Sequence, residues 1–108
     1  MIGRLIGYLL IASNEVRYTL RARADLAAIF ADLTGRSPSY AQAVRQEIRH
    51  RIGQLTDFPQ MGPATDEPGV RELTLIRYPY KIYYEAGAEE VRILHVRDAR
   101  RRPPDRLP

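Results

Sequence analysis

The chain has 108 residues, 44% of them hydrophobic and 28% charged, which is ordinary globular composition with room for one core; wholesale disorder and a second independent domain are excluded. It has no cysteine, so disulfides and thiolate metal sites are excluded, and its two histidines, His50 and His95, are too far apart for HExxH-type metal spacing. The net charge is +4, and all but Lys81 of the 17 basic residues are arginines, a balance that suits RNA, DNA or an acidic protein without choosing among them.

The opening run Leu5–Ala12 is apolar but far shorter than the roughly 20 residues a membrane span needs. Ala12–Ser13–Asn14 makes a poor small-x-small cleavage site, so an added strand or helix turn is expected there rather than a secretory signal. Regular patterning begins at Val16, where a valine-encoding start codon would fit the same boundary. Residues 1–15 therefore read as an N-terminal extension, 16–103 as the domain and 104–108 as a tail.

Val16–Leu20 alternates loosely and predicts a short strand. Leu26, Ile29, Phe30 and Leu33 then fall on one helical stripe over about Arg23–Thr34; Asp25 in the first turn suits the helix dipole, and Gly35 is expected to end the helix in the left-handed conformation. Ser37–Pro38 is an N-cap and first-turn pair for a second helix, whose stripe is Tyr40, Val44, Ile48, Ile52 and Leu55 and which must stop before Pro59. Gln60–Gly69, with its prolines and glycines, predicts a loop. Three strands follow at Val70–Ile76, Tyr80–Ala86 and Glu90–Arg97, with turns at Tyr78–Pro79 and Gly87–Ala88. Links this short make successive strands antiparallel. The expected fold is α+β, in the order β-α-α-β-β-β, with a helical hairpin packed on one face of a small antiparallel sheet.

Strand alternation places Tyr80, Ile82, Tyr84 and Ala86 toward the helices, and Lys81, Tyr83 and Glu85 away from them. Leu73 and Leu75 likewise face inward, with Glu72 and Thr74 outward. Two helices cover one side of such a sheet. The other side, with Ile93 and Leu94 adjacent in the last strand, is expected to be partly apolar, exposed and in need of a partner.

The segment GVRELTLIRYPYKIYYEAGAEEVRILHVRDARRRP (Gly69–Pro103), with RADLAAIF (Arg23–Phe30) and IGQLTDFPQMG (Ile52–Gly62), resembles the RelE/ParE family of bacterial toxins. The ordered combination VREL, YPYKIYYE and ILHVRxxRRRP carries the likeness, which spans Val16 to Pro103 and is closer to the ParE branch. The resemblance implies a cytoplasmic toxin without a cofactor, metal or membrane association. It implies a cognate antitoxin that wraps the helices and the open sheet, with a toxin dimer within the complex as a further expectation. RelE-like members cut mRNA on the ribosome without a metal, whereas ParE-like members inhibit DNA gyrase by binding it.

Residues carried over from the family separate these activities. The outward lysine pair of RelE-like nucleases falls on Glu72 and Thr74; their basic residue on the next strand is matched by Lys81, and an arginine after the last strand by Arg101. Their C-terminal tyrosine has no counterpart, since RPPDRLP follows Arg101. Asp98 stands where many relatives carry histidine. Metal-free RNA cleavage needs a base, an acid and cations for the developing phosphorane charge; Lys81, His95, Arg97 and Arg101 would have to supply them. The carboxylate of Glu72 would repel phosphate. Gyrase inhibition without enzymatic activity is therefore the leading expectation, ahead of a ribosome-dependent endoribonuclease or an inactive, antitoxin-binding relative. Candidates for binding a target or phosphate are Arg71, Lys81, Tyr83, Arg97, Arg100, Arg101 and Arg102; the last four form either an anion-binding edge or a solvated tail.

Overall fold

The computed structural model describes residues 15–100; the N-terminal extension before Glu15 and the tail, with Arg101 and Arg102, lie outside the described residues. The elements are β1 (Glu15–Tyr18), α1 (Leu20–Arg36), α2 (Pro38–Leu55), β2 (Arg71–Thr74), β3 (Tyr80–Ala86) and β4 (Glu90–Asp98). This is the expected order of an α+β fold.

The four strands lie in the order β1-β4-β3-β2. β2, β3 and β4 pair antiparallel, as their short links require, but β1 joins β4 in parallel, so the sheet is mixed rather than wholly antiparallel. The short-link rule constrains only consecutive strands, and β1 is separated from β4 by both helices and two strands. Opposite β3, β4 carries one extra residue: Tyr83 pairs with His95 and Tyr84 with Ile93, leaving Leu94 as a bulge.

The bulge resolves the adjacency of Ile93 and Leu94. Ile93 joins the main core with Ile82, Tyr84, Val91 and Val96, while Leu94 forms a second small cluster with Val70 and Tyr83. Val70, Leu94 and Tyr83 are each less than a tenth exposed, so the apolar middle of the second face is closed, contrary to the expectation from the sequence. His95 stacks on Tyr83 (ring centroids 5.6 Å), and the Arg97 guanidinium lies 5.8 Å from the Tyr83 ring centre.

α1 starts earlier than the stripe indicates because Thr19 is its N-cap. The Ala22 N–H donates to Thr19 Oγ1 (3.0 Å), and that hydroxyl donates to the Leu94 carbonyl (3.0 Å), so one side chain caps the helix and fastens it to β4. Gly35 stays within the helix, which ends one residue later, and Gly69 (φ 79°) is the glycine that needs the left-handed region. Ser37 is shared by the two helices: its N–H closes α1 on the Leu33 carbonyl (2.7 Å), and its hydroxyl accepts from the Tyr40 N–H (3.3 Å) to open α2. In α2, Ala41, Val44, Ile48, Ile52 and Leu55 form the buried stripe, whereas Tyr40 lies outside it, edge-on to Tyr78 at 5.3 Å.

Burial raises the phenol pKa of Tyr18, Tyr80 and Tyr84 above 10; at Tyr80 the Asp98 carboxylate adds to this, and at Tyr84 the Gly62 N–H opposes it. With native values raised, their contribution to stability is complete below the unfolded-state pKa of about 10 and is lost as pH rises through the native values. In an alkaline titration, stability should hold to about that pH and then fall, with phenolate absorbance from these tyrosines appearing together with loss of the helical signal. Complete phenolate absorbance in a still-folded chain would contradict the burial.

Candidate functional site

On the face away from the helices, the register lays out two cross-strand rows: Glu72, Tyr83 and His95 in one, and Thr74, Lys81 and Arg97 in the other. Lys81, the family-matched cation, lies between Thr74 and Arg97, but its ammonium sits 2.6 Å from Glu72 Oε2 on the diagonal. A lysine pair would concentrate positive charge here; the ion pair neutralises it. Both side chains remain about a quarter to a third exposed, so the pair adds little to stability, in the range of about 0–1 kcal/mol. Lys81→Ala is accordingly expected to stay soluble and to lose no more than about 1 kcal/mol in urea denaturation, the outcome for an outward side chain.

Arg97 donates from Nε to the Tyr83 hydroxyl (3.0 Å) and from Nη1 to the Asp98 carbonyl (3.2 Å). Tyr83 is thus stacked on its flank and hydrogen-bonded at its tip, not offered as a free platform. Arg100 is held by Asp98 in a two-pronged pair, Nε–Oδ1 3.0 Å and Nη2–Oδ2 2.8 Å, and this bonding raises its pKa further. Asp98, the departure from the family pattern, therefore occupies Arg100, one of the four arginines of the candidate anion-binding edge. Arg71 is structural: its Nη1 donates to the carbonyls of Gly62 (2.8 Å) and Gln60 (3.3 Å), pinning the loop before β2.

His95 is 4% exposed. Its Nδ1 lies 2.7 Å from Asp25 Oδ2, the same oxygen that accepts the Val96 N–H at 3.0 Å, while Nε2 is buried without a hydrogen-bond partner among the described residues. Such an imidazole orients a helix against a strand edge and offers no atom to a substrate at the surface. The neighbouring groove between α1 and β4, about 290 Å³, is lined by three carboxylates (Asp25, Asp32 and Asp98) and two guanidiniums (Arg36 and Arg97), so its acids outnumber its arginines and it offers no positive excess to phosphate. Asp25 is the residue that sequence reasoning misplaced. It looked like a first-turn dipole partner, but it is in the second turn of α1 and its partners lie on the last strand. Only a three-dimensional register could have revealed that.

The remaining sheet cations are also answered by carboxylates. Arg17 meets Glu15 (3.2 Å) and Glu90 (3.6 Å), and Arg92 meets Glu90 (3.0 Å) and Glu85 (3.7 Å). No cluster of histidine and acidic residues among the described residues could hold a metal ion, and none of their helices is long and apolar enough to cross a membrane.

A helical hairpin on one side of a mixed four-stranded sheet, with an ion-paired and largely self-satisfied second face, makes this a small two-layer α+β domain. The chain belongs to the ParE toxin family of type II toxin–antitoxin systems: the family model, described as the ParE toxin of the parDE system, matches residues 16–103. Among solved structures it is similar to a chain of the chromosomal ParDE toxin–antitoxin system of P. aeruginosa, at 29% identity and TM-score 0.67 over 78% of this chain and 94% of that one. It is also similar to a chain of the RelBE2 toxin–antitoxin complex of Mycobacterium tuberculosis, at 25% identity and TM-score 0.57 over 82% and 93%. No curated protein sequence matches it.

Proposed function

We propose that this chain is a cytoplasmic toxin that inhibits DNA gyrase by binding to it and is neutralised by a cognate antitoxin. The observation that carries the reading is the Glu72–Lys81 ion pair, which stands where the nuclease branch would need a pair of outward lysines. Cleavage would require cations available to the phosphorane and a proton carrier at the surface. Instead, Lys81 and Arg100 are paired with carboxylates, and His95 is buried against Asp25. An antitoxin partner is supported by the ParDE and RelBE2 assemblies in which the similar chains occur.

The test is a supercoiling assay with purified gyrase, alongside primer extension on mRNA from cells induced for the toxin. Inhibited supercoiling with intact transcripts is expected. Cuts within translated codons, with supercoiling unaffected, would replace this reading with that of a ribosome-dependent nuclease.

A further inference from the structure

The guanidiniums of this molecule are answered unevenly. Arg17, Arg21, Arg36, Arg92 and Arg100 each have a carboxylate within 4 Å, and Arg51, Arg71 and Arg97 donate to carbonyl or hydroxyl oxygens. Among the described residues, Arg23, Arg45, Arg49 and Arg77 have neither. Three of these gather on one flank of the helical hairpin. Arg23 and Phe30 lie about two turns apart on α1, and Arg45 and Arg49 about one turn apart on the returning α2, with Tyr18 of β1 beside them.

Contacts join these side chains. The Arg23 guanidinium lies 6.0 Å from the Tyr18 ring centre, and that of Arg45 lies 4.1 Å over the Phe30 ring. A ring beneath a guanidinium holds it in place while its N–H donors stay free. Burial raises the Tyr18 phenol pKa, and Arg23 and Arg49 both oppose that rise, so two cations act on one hydroxyl. This hydroxyl makes no hydrogen bond among the described residues and is not sealed from solvent. Neither helix has an acid to spare. Asp25 is bonded to His95 and the Val96 N–H, Asp32 is paired with Arg36, and Glu47 accepts the N–H groups of Ile76 and Arg77. The flank is therefore a set of donors without an acceptor, the arrangement that an anion completes.

We propose that Tyr18, Arg23, Arg45 and Arg49 form a ledge that holds the phosphodiester backbone of duplex DNA without reading its sequence. The choice of DNA rests on the reading of the chain as a gyrase inhibitor, since a toxin that also holds DNA would meet that enzyme on its own substrate. An acidic protein segment is the weaker fit. A protein contact draws its energy from an apolar anchor seated in a pocket, whereas both rings here are already taken up by guanidiniums. Leu20, three residues before Arg23 and 86% exposed, is the anchor such a partner would use. Phosphate contacts need only charge and donors, and they fix a protein on a duplex without recognising its bases.

Fluorescence anisotropy of a labelled duplex DNA with the purified full-length chain, read across a range of about 50–200 mM salt, tests this. Three phosphate contacts predict a slope of log affinity against log salt of about −2.7. Arg23→Gln/Arg49→Gln removes two exposed side chains that bond to nothing, so it should melt like the parent. It should bind at least about tenfold more weakly at the low-salt end and flatten the slope to about −0.9. Tyr18→Phe should cost about threefold. Arg77→Gln, which removes an equally unpaired arginine elsewhere on the surface, and Leu20→Ser should each stay within about twofold of the parent. Absence of salt-sensitive DNA binding by the parent would overturn the inference. So would a loss at Arg77→Gln as large as that at Arg49→Gln, because net charge alone would then explain the binding. Unchanged DNA binding by the double variant, with antitoxin affinity lost there and at Leu20→Ser, would make the flank a protein contact instead. Supercoiling is read separately: DNA binding through this ledge without inhibition of gyrase fails the gyrase reading alone, and inhibition without DNA binding fails the ledge alone.

Discussion

Asp25→Ala is expected to lower stability by about 3 kcal/mol in urea denaturation, among the largest effects available to a polar residue of this chain. One carboxylate oxygen accepts the Val96 N–H at 3.0 Å and meets His95 Nδ1 at 2.7 Å, and the side chain is only 17% exposed. Removing it leaves a backbone N–H and an imidazole nitrogen buried without partners, each costing about 1–3 kcal/mol. The exposed half of the site, Arg21 at 3.4 Å, contributes little, so Arg21→Ala should change stability by less than about 1 kcal/mol. Asp25→Asn keeps an acceptor oxygen and should fall between the two. A loss at Asp25→Ala no greater than that at Arg21→Ala would mean that α1 is held to β4 by its apolar contacts alone.

The second large effect is expected at Gly62→Ala, where the constraint is steric and not conformational. A Cβ at this position would lie 2.8 Å from the Glu72 carbonyl oxygen, 2.8 Å from the Tyr84 hydroxyl and 2.9 Å from a Tyr84 ring carbon. Backbone and a fully buried ring would both have to move, and the Gly62 N–H would lose its 2.9 Å bond to Tyr84 Oη, for a total cost of about 3 kcal/mol. Tyr84→Phe removes the hydroxyl but neither the ring carbon nor the carbonyl, so the double variant should not regain stability. Full recovery in the double variant would locate the strain at the hydroxyl alone.

What the sequence made legible is what depends on neighbours along the chain. The alternation in Tyr80–Ala86 gave that strand its bounds and its inner face, and the Ser37–Pro38 pair located the helix junction to the residue. Features that depend on neighbours in space were hidden. Thr19 and Asp25 carried no hint that their partners were Leu94, His95 and Val96, because no local pattern records a contact that far along the chain. The stripe of α2 misassigned Tyr40 because periodicity marks a face without saying how far the opposing sheet extends. For the site, the outward placement of Glu72 was legible from the alternation of its strand. Its pairing with Lys81, however, follows from the β2–β3 register, which a turn of undetermined length left open.

The extra residue in β4 fixes more than local shape. Before Leu94 the strand obeys one parity and after it the other, so loss of Leu94 would restore plain alternation, keeping Val96 inward and His95 and Arg97 outward while removing the side chain that packs on Val70 and Tyr83. The added residue therefore serves the second face alone: without it the inner side of the sheet keeps its pattern, while Val70 and Tyr83 lose the side chain that covers them.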